Sequence, residues 1–412
     1  MNKENRYILK RKIKAFFESL PFYACRVFPI NKNKVVMWTF ECGGGYGCSP
    51  KYIAEELIRR NKTGKTNYEI VWLVNDISKE FPSEITKVKN TLLNRAYHLA
   101  TAKFWVANTR TFYGTKKRKQ TKYLQTWHGT LNIKPIGKYR GVKMPYIAKI
   151  ISEYDSNMID FVFSGSNWCT QTWRDGLIYD GTILETGTPR CDILFNSVNI
   201  KHKQLRTRYN LPNDCKIMLY APTFRGGSQN TTRSVNTEVC SVDFERLINA
   251  LESRFKANWY IFLRLHPQLA TQIKNMPIAK NFDRLVDVSQ APDMNELIAA
   301  SDAFLTDYSS AIFESFLMKM PSFIYADDLK EYIADRGELM FNMDELPFPV
   351  AYDNDDLEKN ILSFDKEEYN KKVDDFIIKV GIIEDGHASE RVADLMKQKG
   401  EQIEKSHYIW NI

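Results

Sequence analysis

Two of the six histidines in this 412-residue chain stand directly after a run of strand-like composition. Tyr123 to Trp127 ends in His128-Gly129-Thr130, and Tyr260 to Leu265 ends in His266-Pro267. An imidazole at a strand end is placed for general base catalysis because its ordinary pKa lies near operating pH. The glycine beside His128 lets another group approach the backbone, and Pro267 stops the second strand. Arg264 lies two residues before His266, so both side chains leave the same strand face and together present donors to a phosphate. A lone histidine bonded within a loop is the commoner case, and Arg264 alone is as easily structural.

The segment Ala303 to Glu314 adds a different feature. Its apolar strand breaks at Asp307, and the sequence predicts a helix starting at Ser309 or Ser310, either of which is a capping residue. Open N–H groups, serine hydroxyls and the positive end of the macrodipole would receive phosphate oxygens. Glu314, one turn beyond Ser310, is placed to accept from ribose hydroxyls. Simple capping is the bland alternative. Two more strand ends offer polar groups: Thr223 and Arg225 follow Leu219-Tyr220-Ala221, while Arg190 and Asp192 follow Ile183 to Thr186 and read as fixing an interdomain turn. The glycine-rich run Gly43-Gly44-Gly45-Tyr46-Gly47 matches neither the dinucleotide fingerprint nor a P-loop. Gly44 and Gly45, with Gly129 and Thr130, are candidates for the acceptor side of a cleft.

These residues need a scaffold that gathers strand ends. Strand-like runs alternate with helical patterns, at Lys34 to Phe40, Glu69 to Val74, Phe104 to Ala107, Tyr123 to Trp127, Phe161 to Ser164 and Ile183 to Thr186. After a polar stretch the rhythm restarts, with Ile217 to Ala221, Trp259 to Leu265, Leu285 to Val288, Ala303 to Thr306 and Ser322 to Ala326. That rhythm predicts α/β architecture with parallel sheets, whose ligands bind at strand carboxyl ends. The length favours two domains over one. The expected division is 1–200, an N-terminal acceptor and membrane-side Rossmann-like domain, and 201–412, a C-terminal nucleotide-binding Rossmann-like domain, facing each other across a cleft. Gly226 to Val242 is polar and without pattern, as expected of a long loop beside the cleft.

Composition narrows the function classes. With 43% hydrophobic and 26% charged residues the chain is globular rather than disordered. A balance of 58 basic against 50 acidic residues gives +8, suited to an anionic substrate or lipid surface and without a nucleic-acid-binding signature. Seven cysteines without paired ligand spacing read as reduced thiols, and no zinc site is expected. No stretch reaches the ~20 apolar residues of a membrane span, nor does a signal peptide stand out. Leu9, Ile13, Phe16, Phe17 and Leu20 share one face of a predicted N-terminal helix whose other side is basic, so the helix either lies in a membrane interface or packs on its own domain. The cluster Lys116-Lys117-Arg118-Lys119 with Lys122 reads as solvated surface or as a second anionic-membrane contact.

Taken in order, Gln125-Thr126-Trp127-His128-Gly129-Thr130, Gly187-Thr188-Pro189-Arg190, Tyr220-Ala221-Pro222-Thr223, Arg264-Leu265-His266-Pro267, Thr306-Asp307-Tyr308-Ser309-Ser310 and Asp335-Arg336-Gly337 resemble the CDP-glycerol glycerophosphotransferase family of teichoic acid and capsule synthesis. The resemblance runs from about Lys34 to Met396. It implies a GT-B-like fold and transfer of an alditol phosphate, glycerol or ribitol phosphate, from its CDP ester to a hydroxyl of a lipid-linked polyol-phosphate or saccharide acceptor, releasing CMP at the cytoplasmic membrane face. Carried over by motif, His128 matches the base acting on the acceptor, and His266 the histidine facing the donor phosphates. Ser309 and Ser310 match the pyrophosphate cradle, and Glu314 the ribose contact. The motifs demand no metal, although Mg²⁺ is compatible with them. Where the family often reads Gly-Thr-Pro-Leu-Lys, this chain has Gly129-Thr130-Leu131-Asn132-Ile133-Lys134-Pro135, a displaced proline that bears on acceptor recognition. A nucleotide-sugar glycosyltransferase of the same fold is the competing enzyme reading, and a non-catalytic membrane scaffold is the reading from outside enzymology.

Overall fold

The computed structural model describes residues 3–223, 241–265 and 282–408. Arg225, His266, Pro267 and nearly all of the Gly226 to Val242 loop lie outside them. Within these bounds the strands are β1 (Asn31–Trp38), β2 (Glu69–Val74), β3 (Ile85–Lys89), β4 (Ala102–Ala107), β5 (Lys122–Gln125), β6 (Phe161–Ser164), β7 (Thr182–Glu185), β8 (Lys216–Tyr220), β9 (Trp259–Leu263), β10 (Leu285–Asp287), β11 (Ala303–Thr306), β12 (Ser322–Tyr325) and β13 (Val350–Ala351).

They form two sheets, both wholly parallel among the described residues. The first has order β3-β2-β1-β4-β5-β6-β7 and the second β10-β9-β8-β11-β12-β13. Each contains the 3-2-1-4-5-6 order of doubly wound folds, so each has one switch point, at β1/β4 and at β8/β11. The central strands carry apolar residues on both faces because helices cover both sides. Val35, Val36, Met37 and Trp38 are all buried, and Val36 pairs with Val71 on one side and Trp105 on the other. Trp38, Trp105 and Tyr123 pack with ring centroids 5.8–6.4 Å apart, within the range where aromatic contacts add to simple burial.

The chain divides into two compact units. One holds 1–128, 137–192 and 383–412; the other holds 129–136 and 193–382. A single boundary near residue 200 therefore does not describe the chain. The cause lies at its end: Val392, Ala393 and Met396 of the helix Ala388–Tyr408 complete the core beside Val35, Met37, Leu57 and Trp72. Asp192 begins that arrangement by accepting the N–H groups of Ala388 (3.0 Å) and Ser389 (2.8 Å) at the first turn of this helix. Arg190, buried, donates to Cys48 Sγ at 3.5 Å. Both residues therefore tie elements of the first unit together.

The N-terminal helix Lys3–Ala24 packs on the helix Leu92–Thr101, and Ile8, Ala15 and Phe22 are its buried apolar residues. Its other side leaves Leu9, Ile13, Phe16, Phe17 and Leu20 exposed, Phe16 and Phe17 by 62% and 61%. The second basic cluster is engaged in part: Lys117 and Lys122 share the one carboxylate of Asp160, Arg118 donates to the carbonyl of Phe28 at 2.6 Å, and Lys119 is exposed. Among the described residues no helix is long and apolar enough to cross a membrane.

Candidate active-site residues

In the first unit the chemistry gathers where β1, β4 and β5 end. His128 is partly buried, with Nδ1 2.7 Å from the carbonyl oxygen of Asn108, the first residue beyond β4. A carbonyl only accepts, so in the neutral ring the proton sits on Nδ1 and the lone pair on Nε2. The ring stacks on Trp127, centroids 4.4 Å apart, and lies 5.6 Å from Phe40. Phe40 is held there by its own backbone, whose N–H donates to Asn108 Oδ1 at 2.9 Å. One residue past β4 thus ties together the turn after β1 and the imidazole after β5.

The glycine loop serves this placement. A Cβ on Gly44 would meet Phe40 at 2.7 Å and Thr39 Oγ1 at 2.8 Å, while Gly45 has φ +82°. Thr39 Oγ1 closes the loop by donating to Gly45 O at 2.6 Å. Gly129 and Thr130 belong to the second unit, and Thr130 is fully buried. In that unit their segment is held by Ile133, whose N–H donates to Ser310 Oγ at 3.1 Å and whose carbonyl accepts from Met340 at 2.8 Å.

Behind Trp127 and His128 lies a polar cluster that the sequence did not disclose. Trp127 N–H donates to Gln125 Oε1 (3.0 Å), and Gln125 Nε2 donates to Tyr123 Oη (2.8 Å) and Thr109 O (3.0 Å). Asp155 accepts from Thr111 N and Oγ1 at 2.8 Å each and from Tyr123 Oη at 3.4 Å. Arg110 spans the cluster: its guanidinium lies over the Trp127 ring at 5.6 Å, and Nη1 is 3.9 Å from Asp155 Oδ2. Burial raises the Asp155 carboxyl to about 6, even though the Thr111 hydrogen bonds and Arg110 pull it down. The same burial holds the Tyr123 phenol well above its usual range. Asn108 stands at a strand end as His128 does but was not singled out by the sequence; Asp155 sits in the last turn of the helix Tyr146–Ser156 and carried no signal.

In the second unit the corresponding place past the fourth strand is Asp307. Its carboxylate takes the N–H of Thr223 at 2.9 and 3.0 Å, the Thr223 hydroxyl at 2.9 Å and the N–H of Tyr308 at 2.5 Å. Asp307 therefore clamps the ends of β8 and β11 together at the switch point. The serines that follow do not cap a long helix. Only Ile312–Ser315 is α-helical, its N-cap is Ala311 without a side-chain bond, and a 3-10 turn follows. The N–H groups of Ile312, Phe313 and Glu314 already reach the carbonyls of Ser309, Ser310 and Ala311. The macrodipole expected there is correspondingly short. Packing explains the departure, since Phe313 and Phe316 are drawn into a ring cluster with Phe348 and Phe376. Glu314 has no accessible surface, so this conformation does not present its carboxylate to a ribose. Arg264 follows β9 directly, its N–H donating to Tyr220 O at 2.9 Å. Among the described residues no cluster of His, Cys, Asp and Glu has the form of a metal site.

Polar residues at the carboxyl ends of two doubly wound parallel sheets, with a tautomer-fixed histidine among them, define an α/β enzyme of the two-sheet, GT-B-like class. The chain belongs to the CDP-Glycerol:Poly(glycerophosphate) glycerophosphotransferase family, whose pattern matches residues 21–398. It is 32% identical to the teichoic acid glycerol-phosphate transferase of Staphylococcus aureus, covering 88% of this chain and 92% of that protein. It is 31% identical to the teichoic acid poly(glycerol phosphate) polymerase of Staphylococcus epidermidis over 89% of this chain, and spans half the length of that relative. The structure is similar to a variant of the wall teichoic acid polymerase TagF, with TM-score 0.80, 27% identity and coverage of 98% of this chain and 100% of that one.

Proposed function

We propose that this protein transfers glycerol phosphate or ribitol phosphate from the CDP ester to a hydroxyl of a lipid-linked teichoic acid or capsule acceptor. The observation that carries this reading is the Asn108 carbonyl on His128 Nδ1, which leaves the lone pair on Nε2 for the acceptor proton. As Nε2 takes that proton, the acceptor oxygen bonds to the phosphorus bearing the alditol, the phosphoanhydride bond breaks and CMP departs. Phosphoryl transfer asks mainly for positioning and for groups that neutralise oxygens. Arg264 and the Ser309 and Ser310 hydroxyls are the described donors to those oxygens, with Arg225 and His266 assigned to the same task. Thr223 and Asp307 shape the donor side through their mutual clamp rather than by direct contact. No step requires a metal; Mg²⁺ would add only charge neutralisation at the phosphates.

The enzyme is proposed to work at the cytoplasmic face of the membrane as a peripheral protein. Supporting this is the exposed row Leu9, Ile13, Phe16, Phe17 and Leu20, flanked by the exposed Arg6, Lys10 and Lys14 on one side and Lys12 on the other.

The test is CMP release from CDP-glycerol and CDP-ribitol with a lipid-linked acceptor, the product being read by mass spectrometry. His128→Ala is expected to lower kcat by about 10²–10⁴-fold, the usual worth of a general base. Consumption of a nucleotide sugar, with no CMP from either CDP-alditol, would overturn the reading.

A further inference from the structure

We propose that Gln125 is a positioning residue for His128, acting through the backbone of Trp127, with Asp155 and Arg110 as its outer support. The proposal rests on the assignment of His128 as base. Trp127 has φ +51°, a left-handed conformation that costs a bulky residue of order 1 kcal/mol and persists only where its surroundings over-determine it. Here they do. Gln125 Oε1 holds the Trp127 N–H, and Gln125 is itself fixed by bonds to Thr109 O and Tyr123 Oη. The Arg110 guanidinium lies over the ring, and the Thr126 hydroxyl donates to Trp127 O at 3.1 Å.

The consequence falls on the next residue. A left-handed step at Trp127 turns the chain between β5 and His128, so the imidazole lies against the indole at an interplanar angle of 29° and brings Nδ1 to the Asn108 carbonyl. A relaxed Trp127 would carry the ring off that carbonyl and lose the fixed tautomer. Four consecutive residues past β4 serve this one turn: Asn108 receives His128, Thr109 receives Gln125, Arg110 covers Trp127, and Thr111 holds Asp155. Gln125 is 1% exposed, as is Asp155, so neither meets a substrate directly. Both act at a distance, and misplacing a catalytic group by about 1 Å is enough to cost about a hundredfold.

The experiment uses the full chain and five variants: Gln125→Met, which keeps length and removes the polar atoms, Asp155→Asn, His128→Ala, and each of the first two combined with His128→Ala. CMP release from the active CDP-alditol gives kcat and KM, and ¹⁵N shifts of the His128 ring give its tautomer. Gln125→Met is expected to lower kcat about tenfold to a hundredfold, leave the donor KM within about twofold, and mix the two ring tautomers. In the His128→Ala background the same change should alter the residual rate by less than about twofold, because the residue it serves is gone. An equal loss in both backgrounds, or an undisturbed tautomer, would show a merely structural glutamine and overturn the proposal. Should Gln125→Met fail to fold, Asp155→Asn reads the same chain from its far end and must show the same dependence on background. Full turnover by His128→Ala sinks the base assignment itself; loss there with normal Gln125→Met sinks only the positioning role.

Discussion

At the scale of single residues, the buried carboxyl of Asp155 sets a measurable pH dependence. Its pKa of about 6 in the folded protein lies above the ordinary aspartate value of 3.8, because burial disfavours the charged form. Below pH 4 the group is protonated in both states and costs nothing. As pH rises from about 4 to about 6 the unfolded chain ionises first, so this residue withdraws stability, with the loss complete above about 6. At about 1.4 kcal/mol per unit, the withdrawal approaches 3 kcal/mol. Asp155→Asn should therefore gain on the native protein by a few kcal/mol between pH 4 and pH 7, whatever its absolute stability; urea unfolding at both pH values measures it. A constant difference across that range would contradict it. His128 was legible in the sequence because a strand-like run ends on it, whereas Asn108 and Asp155 were not singled out. Asn108 lies 20 residues away from His128, and the Thr111 to Asp155 contact spans 44. Such pairings are made by adjacent strands and helices, and no local spacing encodes them.

At the scale of elements, apolar runs located the buried strands well and the edges poorly. Glu69–Val74 and Ala303–Thr306 have continuous apolar stretches because both faces are covered. Ile85–Lys89 at one sheet edge buries only Ile85, and Val350–Ala351 is two residues long, so neither announced itself. The expected helix after Asp307 failed for a related reason: its aromatic residues answer to a phenylalanine cluster, and Lys319, at φ +50°, ends the turn. The Asp307 clamp yields its own prediction. Asp307→Ala leaves the buried N–H groups of Thr223 and Tyr308 without their acceptor, at about 1–3 kcal/mol each. A lowered melting temperature together with weaker CDP-alditol binding is the expected result. Asp307→Asn, which keeps one accepting oxygen, should recover part of both; equal losses from the two variants would argue against the clamp.

At the scale of the whole molecule, the exposed row on Lys3–Ala24 predicts salt-sensitive membrane binding. Phe16→Glu with Phe17→Glu alters two side chains that are mostly in solvent, so folding should be unaffected. Flotation with vesicles containing anionic phosphatidylglycerol should show binding reduced by about tenfold or more, since each buried large apolar side chain is worth about 1.5–3 kcal/mol. Undiminished flotation would place the membrane contact elsewhere. The basic run at Lys116 to Lys122 illustrates the limit of charge reading: three of its cations are engaged internally, by Asp160 and by the Phe28 carbonyl. Sequence composition counts charges but not their partners.

The return of residues 383–412 to the first unit has a consequence for how the chain is made. Synthesis delivers β1 first, but the core around it stays open until Val392, Ala393 and Met396 emerge more than 350 residues later. The second unit, apart from 129–136, is one continuous stretch and is delivered whole before that moment. Domain-by-domain folding from the N-terminus is therefore reversed here: the second unit can fold first, and the unit carrying His128 closes only after the helix Ala388–Tyr408 has been made. Nascent chains arrested after residue 382 should resist protease in the second unit while their first unit is cut, and protection should spread to the first unit once the final helix is present.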